Sequence, residues 1–210
     1  MRIAVINEVS ASAKNSDVVG AIRASVKNAE ILNIGMKNPE ERPELTYIHT
    51  GYISAIMLNA GLCDFVVGGC GTGQGFLNCV MQFPGVSCGL VQEPTDAWLF
   101  SQINGGNCIS LMLNKGYGWA ADINLTYVFE KLFLDESGRG YPPARAQSQA
   151  ASRVALKELS ERTHRPFTEI IRQTPDTILQ VLTKQESFMD VLRQNAGNEI
   201  VKIILERANA

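Results

Sequence analysis

The feature that most constrains this chain is an apolar run that does not alternate. Phe65-Val66-Val67-Gly68-Gly69 carries no polar side chain. A strand with one face in water alternates apolar and polar residues. A strand without alternation is covered on both faces, as in a parallel sheet packed between helices. Arg2–Ile6, Ala29–Ile34, Val86–Val91 and Asn107–Leu113 are four further short apolar runs. Between them lie stretches with helical spacing: Val18–Val26, Tyr47–Ala60, Leu77–Phe83, a segment opening at Pro94, and Trp119–Phe133. Proline suits a first helical turn, where its missing N–H costs nothing. Strands separated by helices of this length predict an α/β fold, a doubly wound three-layer αβα sandwich with a five-stranded parallel sheet, over residues 1–134.

Residues 135–147 open on Asp-Glu-Ser-Gly-Arg-Gly-Tyr-Pro-Pro and read as a loop. Residues 148–210 contain no strand signal and form a helical C-terminal extension with a role in packing or oligomerisation. Ser148–Glu161 has helical spacing, and Glu199–Arg207 is the last helix. Thr174-Pro175 reads as an N-cap followed by a first-turn proline. Ser187-x-x-Asp190 reads as a capping box with Asp in place of the usual Glu.

Composition removes several classes of function. Nineteen basic residues stand against 21 acidic ones. A nucleic-acid or anionic-membrane binder would need a basic surplus. The longest apolar stretch, Gly51–Gly69, is broken by Asn59 and Asp64, which hydrocarbon would not tolerate. The first apolar run, Ile3–Ile6, is only four residues long before Asn7 and Glu8, too short for a secretory signal core. The expected location is cytoplasmic. Five cysteines (Cys63, Cys70, Cys79, Cys88, Cys108) without a CxxC pair are expected as reduced thiols, mostly in the core. With only His49 and His164 available, no metal site is expected.

The chemistry concentrates in Cys70-Gly71-Thr72-Gly73-Gln74-Gly75, directly after the third strand. In open α/β sheets ligands sit at the carboxyl ends of strands. Alternate glycines let the backbone approach a ligand and turn its N–H groups inward, and a following helix adds a positive end. The other reading is a tight strand-to-helix turn. A thiol facing such amides is expected to have a lowered pKa and to serve as base or nucleophile. Phosphatase chemistry would need Arg at position 76, which is Phe76. A dinucleotide fold would carry its glycines after the first strand, where Asn7-Glu8-Val9-Ser10 stands. A Cys–His hydrolase would have to draw on His49 or His164.

On these residues the chain resembles the ribose-5-phosphate isomerase B family, which includes the galactose-6-phosphate isomerase subunits. The match runs from the first strand to about residue 130, and through the arginines near 139–145. Val66 to Gly75 carries it most specifically, followed by Pro84-Gly85-Val86 and Ile103-Asn104-Gly105-Gly106-Asn107. The length and the Gly-Gly-Asn run suggest a longer branch with a helical C-terminus. The resemblance implies aldose–ketose interconversion of a phosphorylated pentose or tetrose/tetrulose through a cis-enediolate, with no metal and no cofactor. It implies Cys70 as the base, Thr72 beside it, and the amides of Gly71, Gly73, Gln74 and Gly75 around the enediolate. Asn104 and Tyr47 would contact the sugar, Arg139 and Arg145 the phosphate, with Lys115 a third cation. It also implies a homodimer or higher homo-oligomer with a shared active site.

Three positions depart from the family pattern. Glu8-Val9 replaces an Asp-His pair, leaving Glu8 as the substrate-binding carboxylate. Ile103 replaces the histidine credited with ring opening, which points to an open-chain substrate. His49 replaces an aspartate, and is either the substitute acid or a helix-start histidine satisfied locally. Two other readings stay open: a Cys70 nucleophile on the same loop, and a sugar-phosphate sensor without turnover.

Overall fold

The computed structural model describes residues 1–208. Five strands form one sheet: β1 (Arg2–Asn7), β2 (Glu30–Asn33), β3 (Phe65–Cys70), β4 (Cys88–Val91) and β5 (Cys108–Met112). Their order is β2-β1-β3-β5-β4, and every pairing is parallel. The helices are α1 (Asn15–Ser25), α2 (Tyr47–Asn59), α3 (Gln74–Val80), α4 (Pro94–Leu99), α5 (Ala121–Leu132), α6 (Ala146–Thr163), α7 (Phe167–Gln173), α8 (Asp176–Leu182), α9 (Glu186–Gln194) and α10 (Glu199–Ala208). This is the expected three-layer αβα sandwich, with a helical C-terminal part.

Two apolar clusters explain why the strands do not alternate. Ile3, Val5, Phe65, Val67, Ile109 and Leu111 meet α1, α4 and α5 on one face. Ala4, Ile6, Val66 and Cys108 meet α2 and α3 on the other. The second cluster continues into the C-terminal helices through Phe167, Ile171, Leu182, Phe188, Leu192 and Val201. Phe188, Ile171, Leu182, Leu192 and Val201 are wholly buried, each worth roughly 1.5–3 kcal/mol for its transfer out of water. Helix α6 is of another kind. None of its residues is buried, and Val154, Leu156 and Leu159 are exposed. Arg153 ties it down through Ile103 O (2.9 Å) and Gly138 O (2.7 Å).

Two capping readings are corrected. Thr174 lies two residues before α8, whose N-cap is Pro175. The Thr174 hydroxyl donates to Ile170 O and shares a 2.6 Å hydrogen bond with Tyr52 Oη, tying the tail to α2. Ser187 lies inside α9, where its hydroxyl donates to Ile34 O (3.2 Å), while Asp190 pairs with Arg193. Both hydroxyls serve tertiary contacts that no local pattern announces. α3 also begins three residues early, at Gln74, because Gly73 turns the chain at φ +72°. On β3, Gly68 brings α3 onto the sheet: a Cβ there would lie 2.1 Å from Phe76 Cζ.

Candidate active site

All strands run the same way, so their carboxyl ends share one edge. Glu8 follows β1 there and donates its backbone N–H to Gly69 O (3.0 Å). Cys70 ends β3, almost fully buried at 6% exposure. The next turn climbs through Gly71 and the exposed Thr72 to Gly73 and the start of α3. Ser110 on β5 donates to Gly73 O (2.6 Å), fixing the turn from below. The Gln74 amide leans on Thr72 Oγ1 at 3.4 Å, a long hydrogen bond. The Tyr47 ring lies against Gly75, where a Cβ would come within 3.0 Å of it.

Three of the expected site groups are already engaged. The Gly71 amide donates to Ser10 Oγ (2.9 Å), which removes it from the set aimed at an enediolate. Glu8 Oε2 accepts from both the Ser10 N–H (2.9 Å) and the Ser10 hydroxyl (2.5 Å), so this oxygen faces Ser10. His49 Nδ1 accepts the Thr46 N–H at 3.1 Å, in the capping arrangement of α2. Burial lowers the His49 pKa below the ordinary histidine value, leaving a neutral ring with its proton on Nε2. Lys115 sits beside the loop, its N–H donating to Gly71 O (2.9 Å). It lines a cavity of about 280 Å³ with Gln92, Met112 and Trp119. Burial pushes the Cys63 thiol up to about 12 and Cys79 to about 11, so both are inert core thiols.

Asn104, Arg139 and Arg145 lie elsewhere. Asn104 closes a π-turn (Phe100–Asn104) that precedes β5, at the amino ends of the strands. The 135–145 loop is pinned to that turn by Gly138 N–H to Ser101 O and Gly140 N–H to Gln102 O, both 2.9 Å. Cys108 starts β5 and Met112 ends it opposite Cys70. At about 3.3 Å per residue that is roughly 13 Å, so one chain does not bring Asn104 to Cys70. Arg139 is shared with Asp135 at 3.7 Å, while no ion pair among the described residues involves Arg145. Asn104 lines a second cavity of about 600 Å³, closed on its far side by Ala150, Arg153 and Val154 of α6.

Ser10, Ser110 and Asn114 are polar groups of the loop that sequence reasoning missed. Their partners lie 61, 37 and 104 residues away, so only the sheet order brings them in. Among the described residues there is no cluster of His, Cys, Asp or Glu able to hold a metal ion, and no helix long and apolar enough to cross a membrane.

A glycine-rich turn thus follows a buried cysteine at the carboxyl edge of a doubly wound sheet. The family model described as Ribose/Galactose Isomerase matches residues 3–140, and the chain belongs to that family of intramolecular oxidoreductases. Over its whole length the chain is similar to a solved 4-deoxy-L-threo-5-hexosulose-uronate ketol-isomerase, complexed with a tartrate. The two are 40% identical, with TM-score 0.94 and 99% of each chain covered. It is also similar to a ribose-5-phosphate isomerase from Vibrio parahaemolyticus, at 37% identity and TM-score 0.91, covering 100% of this chain and 98% of that one. A type B ribose 5-phosphate isomerase from Leishmania infantum shares the fold at 16% identity and TM-score 0.61, covering 78% of this chain and 98% of that one. No curated protein matches the chain.

Proposed function

We propose that this chain interconverts an open-chain anionic aldose and its ketose, with Cys70 taking the proton from the carbon beside the carbonyl. The observation that supports this most is the placement of a nearly buried thiol directly before a turn that leads, through a left-handed Gly73, into α3. The enediolate formed on C–H abstraction carries its new charge on oxygen. Amides of Gly73, Gln74 and Gly75, with the positive end of α3 behind them, are the groups to stabilise it. Thr72 and Tyr47 flank the loop and would hold the hydroxyls. Neutral His49 would act as a hydrogen-bond donor from Nε2, not as an imidazolium acid.

The family supports a phosphorylated pentose or tetrose/tetrulose as substrate. A terminal carboxylate is the second reading. It is favoured by the uronate ketol-isomerase likeness and by the 3.7 Å contact of Arg139 with Asp135, which leaves Arg145 as the uncompensated guanidinium of that loop. One full positive charge suits a carboxylate better than a phosphate dianion. Ile103 favours open-chain substrates under either reading.

Asn104, Arg139 and Arg145 would then reach Cys70 from a second copy of the chain, with the unburied helix α6 at the contact between copies. Such an arrangement makes two shared sites in a twofold dimer.

Proton NMR in D2O on a panel of tetrose and pentose phosphates and a 4-deoxy-hexosulose uronate tests the reaction. Deuterium is expected at the carbon beside the carbonyl of one panel member. Cys70→Ala is expected to lower that exchange by roughly 10²–10⁴-fold, the usual worth of a positioned base. Exchange surviving in Cys70→Ala, or absent with every panel member, would overturn the reading. A covalent adduct on Cys70 would mark it as a nucleophile instead.

A further inference from the structure

The peptide that joins the base to its loop is held from outside the loop. The Ser10 hydroxyl has one proton and gives it to Glu8 Oε2 at 2.5 Å. Its oxygen is then left to accept, and it accepts the Gly71 N–H at 2.9 Å. Donation therefore runs in one direction, from Gly71 through Ser10 to the Glu8 carboxylate. The other polar atom of the same peptide, the Cys70 carbonyl, accepts the Leu113 N–H at 3.1 Å. One peptide further on, Gly71 O accepts the amides of Asn114 (3.0 Å) and Lys115 (2.9 Å). The Asn114 side chain returns to Ser10 O at 2.8 Å and closes the ring. Glu8 is 8% exposed, and its carboxylate is a stronger acceptor for the Ser10 hydroxyl than a neutral group would be. A side chain on Gly71 would sit 3.2 Å from both Ser10 Oγ and Asn114 Nδ2.

We propose that Ser10 is a positioning residue of the isomerase reaction and that Glu8 acts on the site through Ser10. The pair sets the plane of the Cys70–Gly71 peptide, and with it the direction of the thiol relative to the amides of Gly73, Gln74 and Gly75. This rests on Cys70 and its loop being the reacting centre. A displacement of about 1 Å in such a centre costs on the order of 100-fold in rate. The cost falls on kcat, because the groups that bind the rest of the substrate are untouched.

The test compares Ser10→Ala, Ser10→Thr, Glu8→Ala and the Ser10→Ala/Glu8→Ala double variant. One readout is steady-state kinetics on the substrate that the deuterium panel identifies. The other is hydrogen exchange at the Gly71 amide, which needs no substrate. Ser10→Ala is expected to lower kcat on the order of 100-fold with KM close to wild type, and to deprotect Gly71. Ser10→Thr keeps the hydroxyl and is expected to restore both. The double variant is expected to be no slower than the slower single one, since both changes break one line of contacts. Ser10 is exposed, so the alanine opens no cavity. Ser10→Cys, of similar shape but a weaker acceptor, is expected to fall between Ala and wild type.

Wild-type kcat in Ser10→Ala would overturn the proposal, as would a threonine variant as slow as the alanine. So would losses that multiply in the double variant, since Glu8 would then touch the substrate on its own. If wild type turns over nothing in the panel, the isomerase reading fails. Unchanged Gly71 protection in Ser10→Ala would then still overturn the positioning role by itself.

Discussion

Ile103 is the single residue that most distinguishes this chain's proposed substrate from a furanose phosphate. Opening a furanose needs a proton delivered to the ring oxygen, and an isoleucine has none to deliver. Its backbone carbonyl is held by Arg153, so the position is fixed whatever side chain it carries. Ile103→His is expected to raise turnover of ribose 5-phosphate by roughly 100-fold, the low end of what a general acid contributes. A coupled assay of ketose formation would read it, and no gain would remove ring opening as the meaning of this position. The place of Cys70, at the end of β3 and ahead of the glycine turn, was legible in the sequence because the apolar run and the alternating glycines are local signals. Glu8 and Gly71 were legible only as residue types near the site. What they bond to depends on Ser10, a serine on a different strand's loop, 61 residues before Gly71.

At the scale of one element, the first turn of α2 joins a cap to the site. It carries Tyr47 against the glycine loop, and His49 Nδ1 accepts the backbone N–H of Thr46. Burial depresses the His49 pKa, so the folded chain binds its proton less readily than the unfolded chain. That contribution to stability is present above the ordinary histidine value of about 6.5 and is lost as the pH falls below it. Protonation also places a hydrogen on Nδ1, where the Thr46 amide already points. The melting temperature is expected to fall from pH 7.5 to pH 5.5, with the slope flattened in His49→Asn, whose side-chain oxygen still accepts. Equal slopes in the two proteins would show that His49 does not titrate with folding. The helix starts at Tyr47 and Pro94 were legible because their signals are local. Those at Thr174 and Ser187 were misread because both hydroxyls are drawn to α2 and to the end of β2, which local spacing does not reveal.

For the whole molecule, the decisive fact is that Cys70 and Asn104 occupy opposite edges of one parallel sheet. If both serve one site, two inactive variants should repair each other. Cys70→Ala and Asn104→Ala, unfolded together and refolded at equal amounts, are expected to regain about a quarter of wild-type activity. Half of the twofold pairs would then be mixed, each with one intact site of two. Activity no higher than the sum of the separate variants would confine the site to one chain. The parallel sheet was legible from unbroken apolar runs, but the direction in which each loop faces came only with the strand order. A last consequence concerns Gly68, whose missing side chain lets Phe76 rest directly on β3. The gap between α3 and the sheet, and so the height of the glycine turn over the thiol, is set by an atom that is not there. Mutational surveys that rank positions by the chemistry of their side chains would pass over this one. Natural variation should admit little but glycine here, although the residue touches no substrate.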